Sequence, residues 1–233
     1  MNADSRERTL LVRTLVKGGV IELAIASGVL FGIAGRVDWP AAWLVMLLIA
    51  GHLVLSGWLL LRHDPDLLKE RLTTAPNVPQ WDRRLGRAIR LVSAVFLATA
   101  ALDAGRFGWS AVPVIVRAIG TAAVLAAIGV IYWCAAANRF LSARSRIQSE
   151  RGHTVVQHGP YRFVRHPLYA SRIVLIAGVA LTLGSWIALV PAALNAVLLV
   201  LRTWWEDRLL TTELPGYREY ATRVPARLVP GLW

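Results

Sequence analysis

The densest cluster of chemically capable side chains in this 233-residue chain is Arg151 to Tyr169, RGHTVVQHGPYRFVRHPLY. Three of the five histidines lie in it, His153, His158 and His166, with Arg151, Arg162 and Arg165, Tyr161 and Tyr169, and Pro160 and Pro167. A hydrocarbon phase does not tolerate such groups unpaired. Because long apolar runs flank the stretch, it reads either as a solvated connector or as a site. The histidines follow no helical or zinc-finger spacing, and no cysteine or clustered carboxylate joins them, so no metal is expected. No glycine-rich phosphate-binding turn is present, and no serine sits in a nucleophile elbow. What remains suits a cationic, zwitterionic ligand. Tyr161 and Tyr169 offer ring faces that attract a cation, Glu206 can pair with an amino group, and His166 can donate to a carboxylate or a ribose. Arg202 precedes Glu206 by one helical turn and shares its face; the bland alternative is a local i,i+4 ion pair worth about 0.3 kcal/mol.

The elements that must hold these residues are apolar. The chain is 56% hydrophobic and 17% charged, with mean hydropathy +0.51. A soluble domain of this length carries more charge, and the apolar residues fall in runs of membrane length. The net charge of +12 raises the question of nucleic acid. The arginines flank apolar segments instead, as membrane topology demands, so a bilayer and no nucleic acid is expected. The single cysteine, Cys134, lies in an apolar run and supports no disulfide framework. The polar start MNADSRER leads into a full-length apolar segment without a small-residue cleavage site, so no signal peptide is expected.

The fold class expected is all-α: a polytopic membrane helical bundle of about six transmembrane helices, with a C-terminal helical hairpin and a cytoplasmic loop and tail. Spans are expected over roughly 15–34, 41–61, 85–102, 111–137, 168–183 and 186–201. Residues Met1 to Arg13 form an interfacial lead-in. DPDLLKERL reads as a surface amphipathic helix with Leu67, Leu68 and Leu72 on one face, ended by Pro76 and Pro79. Asp103 to Ser110 reads as a short turn, and Gly184 and Ser185 as the tip of the hairpin. Glu22 either faces other helices or a cavity or sits at the interface; His52 reads as a packing residue. Asn138 to His166 is too long for an idle connection and is expected to be ordered and functional. Lys and Arg concentrate at both termini and in both long loops, which places all four on the cytoplasmic side. The polar loop and the polar tail can therefore meet.

Three segments together resemble a known family: HTVVQHGPYRFVRHPLY (His153 to Tyr169), RTWWED (Arg202 to Asp207), and L-x-G-Y-x-x-Y-x-x-x-V-P (Leu214 to Pro225). They are similar to the integral-membrane methyltransferases related to isoprenylcysteine carboxyl methyltransferase and the phospholipid N-methyltransferases. The resemblance covers the C-terminal third to two-fifths of the chain; the first four spans match only in hydropathy. It implies S-adenosyl-L-methionine as cofactor, bound at the cytoplasmic face. The backbone of His153, Thr154, Val155 and Val156 would pass the adenine. Tyr161 and the turn His166, Pro167, Leu168 and Tyr169 would line the pocket, Gln148 would complete it, and Glu206 would hold the amino group. Arg202 would meet the acceptor as both catalytic and substrate-binding residue. Asp207 stands where many relatives carry a second Glu.

The chain then divides into residues 1–137, four spans on the acceptor side, and residues 138–233, a methyltransferase core. The partner expected is a lipid or lipidated substrate, most simply an isoprenylcysteine-type carboxylate. Phospholipid amines and small thiols stay open. A carboxylate or thiolate needs no general base, whereas an ammonium must first lose a proton, and no residue here is an obvious base. Two other classes also stay open. The tail VPARLVPGLW (Val224 to Trp233) is similar to that of NADPH-dependent membrane sterol reductases, and a non-catalytic membrane scaffold would keep the fold alone.

Overall fold

The computed structural model describes residues 3–72 and 78–233, residues 3–7 by their backbone alone. The break expected at Pro76 lies outside the described residues. Eight helices follow in order: α1 (Ala3–Ala34), α2 (Pro40–His63), α3 (Pro65–Leu72), α4 (Gln80–Ala100), α5 (Val114–Ala137), α6 (Pro167–Leu183), α7 (Leu189–Glu213) and α8 (Tyr217–Arg223). The described part is a helical membrane bundle. Four segments are long and apolar enough to cross a bilayer: Arg8–Ala34, Pro40–His63, Gln80–Phe107 and Val114–Ala137. The helix α6 is apolar but shorter.

Two proline-led helices begin where the sequence says they must: Pro40 and Pro167 occupy first turns, where the missing N–H costs nothing. The lead-in is different from expectation. From Ala3 onward it is already helix and continues into the first span. The amphipathic segment after α2 does form a helix, α3, but its leucines are not laid on a membrane surface. Leu67 and Leu68 are fully buried, packed with Leu60 of α2 and Leu11 and Leu15 of α1.

The expected turn at Asp103 is likewise absent. The helix α4 runs on through a π-helical segment, Ala101–Phe107, before Gly108 ends it in the left-handed region. The cause is Asp103, which is fully buried. Its carboxylate accepts from the Ser110 backbone N–H (2.8 Å) and from the hydroxyls of Ser110 and Ser185, both at 2.5 Å. A buried carboxylate needs such partners, and the wider helical turn delivers it to the tip of the α6–α7 hairpin. That tip is the expected one, with Gly184 in the left-handed region.

The most extensive helix pairing is α5 on α6. It rests on two glycines. A Cβ on Gly120 would lie 2.9 Å from the Gly178 carbonyl oxygen, and one on Gly178 would lie 2.8 Å from the Gly120 oxygen. Only bare backbones approach so closely, as at small-residue contacts between membrane helices. Elsewhere the apolar core joins Leu30 of α1, Val45 of α2, Phe96 of α4 and Leu183 of α6.

The helix α7 does not stop at the edge of its apolar half. It continues as one helix from Leu189 to Glu213, so Arg202, Glu206 and Asp207 project from a rigid rod onto the loop between α5 and α6.

Candidate functional site: a polar cleft beside an apolar cavity

That loop is ordered by its own polar residues. Asn138 closes α5 with its backbone N–H on the Cys134 carbonyl, while its side chain accepts from the Phe140 N–H (2.8 Å) and donates to the Tyr161 hydroxyl (3.0 Å). The Gln148 amide donates to the Phe140 carbonyl at 2.7 Å and accepts from Arg151 at 2.7 Å. His153 stacks on the Phe140 ring, centroids 4.6 Å apart. Burial, the main cause, holds its imidazole below the ordinary histidine value. Gly159 has φ +61° and sits where a Cβ would lie 2.9 Å from the Ala137 Cβ. The short helical turn it opens, Gly159–Arg162, can therefore press Tyr161 against the end of α5.

One carboxylate ties loop, α7 and tail together. Asp207 accepts a two-pronged bond from Arg165 (2.7 and 2.9 Å), one from Arg227 (2.8 Å) and one from the Tyr217 hydroxyl (2.9 Å), with His166 Nε2 at 3.2 Å. Burial alone would raise its pKa. The bonds from His166, Arg165 and Arg227 outweigh that and hold the carboxyl far below its ordinary value. Burial, then the Asp207 charge, push the Tyr217 hydroxyl well above the tyrosine range. The Arg165 and His166 backbone N–H groups donate to the Ala226 and Arg227 carbonyls of the tail. Tyr220 donates to the Tyr161 carbonyl at 2.7 Å. The two tyrosines of the third sequence segment are thus the bolts of this assembly.

Inside it lies a cleft of about 90 Å³. His153, Thr154, Val155, Val156, Tyr161, His166, Pro167, Leu168, Tyr169 and Glu206 all line it, with Ser145, Leu210 and Tyr217 among others. The structure brings ten of the expected cofactor residues to one place. Glu206 is the carboxylate at its end, 22% exposed. It accepts from the Tyr169 hydroxyl at 2.7 Å and from the Ser145 hydroxyl. Gln148 is elsewhere: it is 1% exposed, outside the cleft lining, with both ends of its amide spent on the loop. His166 is also spent, since its ring faces Asp207 and lies 3.9 Å from Glu206 at its other nitrogen.

Arg202 departs furthest from expectation. It forms no ion pair with Glu206; its guanidinium reaches Asp82 on α4 at 2.6 Å and the Ala143 carbonyl at 3.0 Å, and sits 5.6 Å over the Tyr169 ring. Asp82 is fully buried and also has Arg144 at 3.9 Å. Sequence reasoning missed Asp82 because it opens a helix beside Arg83 and Arg84, the usual look of a solvated end. Its partner lies 120 residues away.

Arg202 faces a second space, a cavity of about 890 Å³. Apolar residues of α2, α5 and α6 form most of it. His52 and Tyr132 line it as a hydrogen-bonded pair (3.0 Å), and Glu22, an exposed residue of α1, borders it too. Leu168, Tyr169, Ser142 and Arg144 border both spaces. Tyr169 therefore stands in the wall between the cleft that holds Glu206 and the larger apolar cavity that six arginines line.

The donor set of the cleft fits S-adenosylmethionine: a carboxylate for an ammonium, irregular backbone at His153–Val156 for a purine, and aromatic and aliphatic faces between them. With the side chains as they stand the cleft is small. Ser145 and Glu206 must part for a ligand of that size to enter.

Among relatives, the chain is similar to the cobalt-zinc-cadmium resistance protein CzcN of Cupriavidus metallidurans. The two are 36% identical over 105 residues, 44% of this chain and 43% of that protein. It is 34% identical over 99 residues to the nickel-cobalt-cadmium resistance protein NccN of Alcaligenes xylosoxydans xylosoxydans, 40% of each. The chain thus spans about two-fifths of the length of these curated relatives. Residues 118–212, which carry the loop of the cleft together with Arg202, Glu206 and Asp207, match the model of the isoprenylcysteine carboxyl methyltransferase (ICMT) family.

Proposed function

We propose that this protein is a membrane methyltransferase that uses S-adenosyl-L-methionine and passes the methyl group to a lipid-like acceptor with an anionic end, an isoprenylcysteine-type carboxylate above all. The observation that carries the reading is the pair of spaces sharing Tyr169: a cleft ending in a carboxylate, and an apolar cavity rimmed with arginine. Glu206 pairs with the amino group, and the His153–Val156 backbone, Tyr161 and the His166–Tyr169 turn hold the rest. Gln148 supports the pocket through the loop rather than by lining it. When bound, the cofactor supplies an electrophilic methyl on a sulfonium, which departs as a neutral thioether.

The chain's own contribution is alignment. In-line displacement gains most from holding the two reactants in register, and an anionic acceptor needs no base. Tyr169, fixed by Glu206 and by the Arg202 cation over its ring, sets the wall across which the two ends meet. Arg202 stands on the acceptor side of that wall. Residues 1–137 with α6 supply the acceptor's apolar housing, and residues 138–233 the cofactor core. The arginine distribution supports both termini, both long loops and the cleft on the cytoplasmic side.

The test is calorimetric titration of detergent-purified protein with S-adenosylmethionine, S-adenosylhomocysteine and NADPH. Micromolar binding of the first two alone is the expected result. Binding of NADPH alone would replace this reading with a reductase. Silence from all three with folded protein would leave a scaffold. Acceptor screening then sets prenylcysteine carboxylates against phospholipid amines and small thiols. Reporter fusions at Gly184 and at the His153 loop are expected outside and inside respectively.

A further inference from the structure

The cavity carries more positive charge than its walls neutralise. Six arginines line it against three carboxylates among the described residues. Most buried arginines near the two spaces are matched. Arg202 has Asp82, Arg146 has Glu70 and Glu150, Arg165 has Asp207, and Arg71 donates twice to the Leu141 carbonyl. Three arginines of the cavity lining, Arg83, Arg90 and Arg172, have no side-chain hydrogen bond and no ion pair among the described residues, and of these Arg172 alone stands on α6, one turn from Tyr169. It lies on the stripe of α6 formed by Leu168, Tyr169, Arg172, Leu175 and Val179, all of which face the cavity. Its side chain is exposed, and the space it lines is the cavity. One turn along α6 places it about 4.5 Å deeper than Tyr169.

We propose that Arg172 is the specificity-determining residue of the cavity: its guanidinium receives an oxyanion, carboxylate or phosphate, of an amphiphile whose tail lies along α2 and α5. Guanidinium suits either group because its planar fork matches two oxygens at once. A guanidinium that lines an apolar cavity without a carboxylate partner keeps its charge for a ligand, and an anionic headgroup supplies the missing partner. The assignment rests on the methyltransferase reading only for what happens to the ligand afterwards, not for its binding.

The experiment titrates the detergent-purified full chain, by tryptophan fluorescence, with oleate, dioleoyl phosphatidate and uncharged oleyl alcohol. The wild type is expected to bind an anionic probe at least about tenfold more tightly than the alcohol. R172Q and R172M are expected to lose that preference, with melting temperature unchanged or raised and affinity for S-adenosylmethionine unchanged; R172K restores part of it. Phosphatidate ahead of oleate assigns a phosphate headgroup, and the reverse order a carboxylate. The assignment is overturned if R172Q keeps the preference, or if both neutral variants lose stability and R172K does not recover binding. An Arg172-dependent preference in a chain that ignores S-adenosylmethionine would remove the cofactor reading and leave this one standing. Cofactor binding without any anion preference would do the opposite.

Discussion

Glu206 and Asp207 are neighbours on one helix, with the same charge, yet they are used in opposite ways. Asp207 is saturated: two arginines, a tyrosine and a histidine converge on it, and it joins three parts of the chain. Glu206 has only two hydroxyls as partners, no cation within hydrogen-bonding reach, and an open side toward the cleft. A carboxylate whose charge is fully matched inside the protein has none left for a ligand. The same contrast repeats on the other side of Tyr169, where Arg202 is matched by Asp82 and Arg172 is unmatched. On the proposed function, structure and ligand recognition are divided between residues of like charge that share a neighbourhood.

The largest effect that would break this contrast is expected from Asp207→Ala. Four groups would lose a partner, one of them the buried Arg165 guanidinium and one the half-buried Arg227, and the fold should lose about 3–5 kcal/mol. The check is a thermal melt in detergent, where near-wild-type stability would remove the division. Asp82→Ala comes next. It strands Arg202, and about 3 kcal/mol is the expected loss, measured the same way. Glu206→Gln should leave the melt within about 1 kcal/mol of wild type while weakening S-adenosylmethionine by more than about tenfold. Equal affinity in a calorimetric titration would take Glu206 out of the cofactor site. The smallest effect is in pH. A carboxyl held below its ordinary value of 3.8 contributes stability that is whole above that value and fades as pH falls beneath it. The stability gap between wild type and Asp207→Asn should therefore stay constant from pH 7 to about 5 and narrow only below about 4. A gap that does not narrow below about pH 4 would take the Asp207 charge out of the cluster's stability.

The loop was legible in the sequence because its polar residues are dense, close in number and set against apolar runs. Nine of the residues named from the Arg151–Tyr169 stretch, with Glu206 of α7, do meet in one cleft. What was not legible depends on distance along the chain. Asp82 and Arg202 look like unrelated ends of helices until the fold sets them 2.6 Å apart. Asp103 looks like a loop residue because its three donors come from Ser110 and Ser185. Arg172 reads as one more flanking cation in a topology count, and only the cavity shows that it points inward. The last apolar span reads as ending near Leu201 because hydropathy falls there, with the helix extending only into the start of the tail. The backbone continues because the loop supplies partners for the charges beyond that point.

The helices α6 and α7 are pinned at both ends. At one end Asp207 and Arg165 lock the start of α6 to α7; at the other Asp103 grips the hairpin tip through Ser185. Such a pair behaves mechanically as a beam clamped at each support, stiff along its whole length. Tyr169, Arg172 and Arg202 ride on that beam and keep their spacing while a ligand passes. On the proposed function, the give needed to admit an acceptor then falls to the other walls of the cavity and not to α6 and α7.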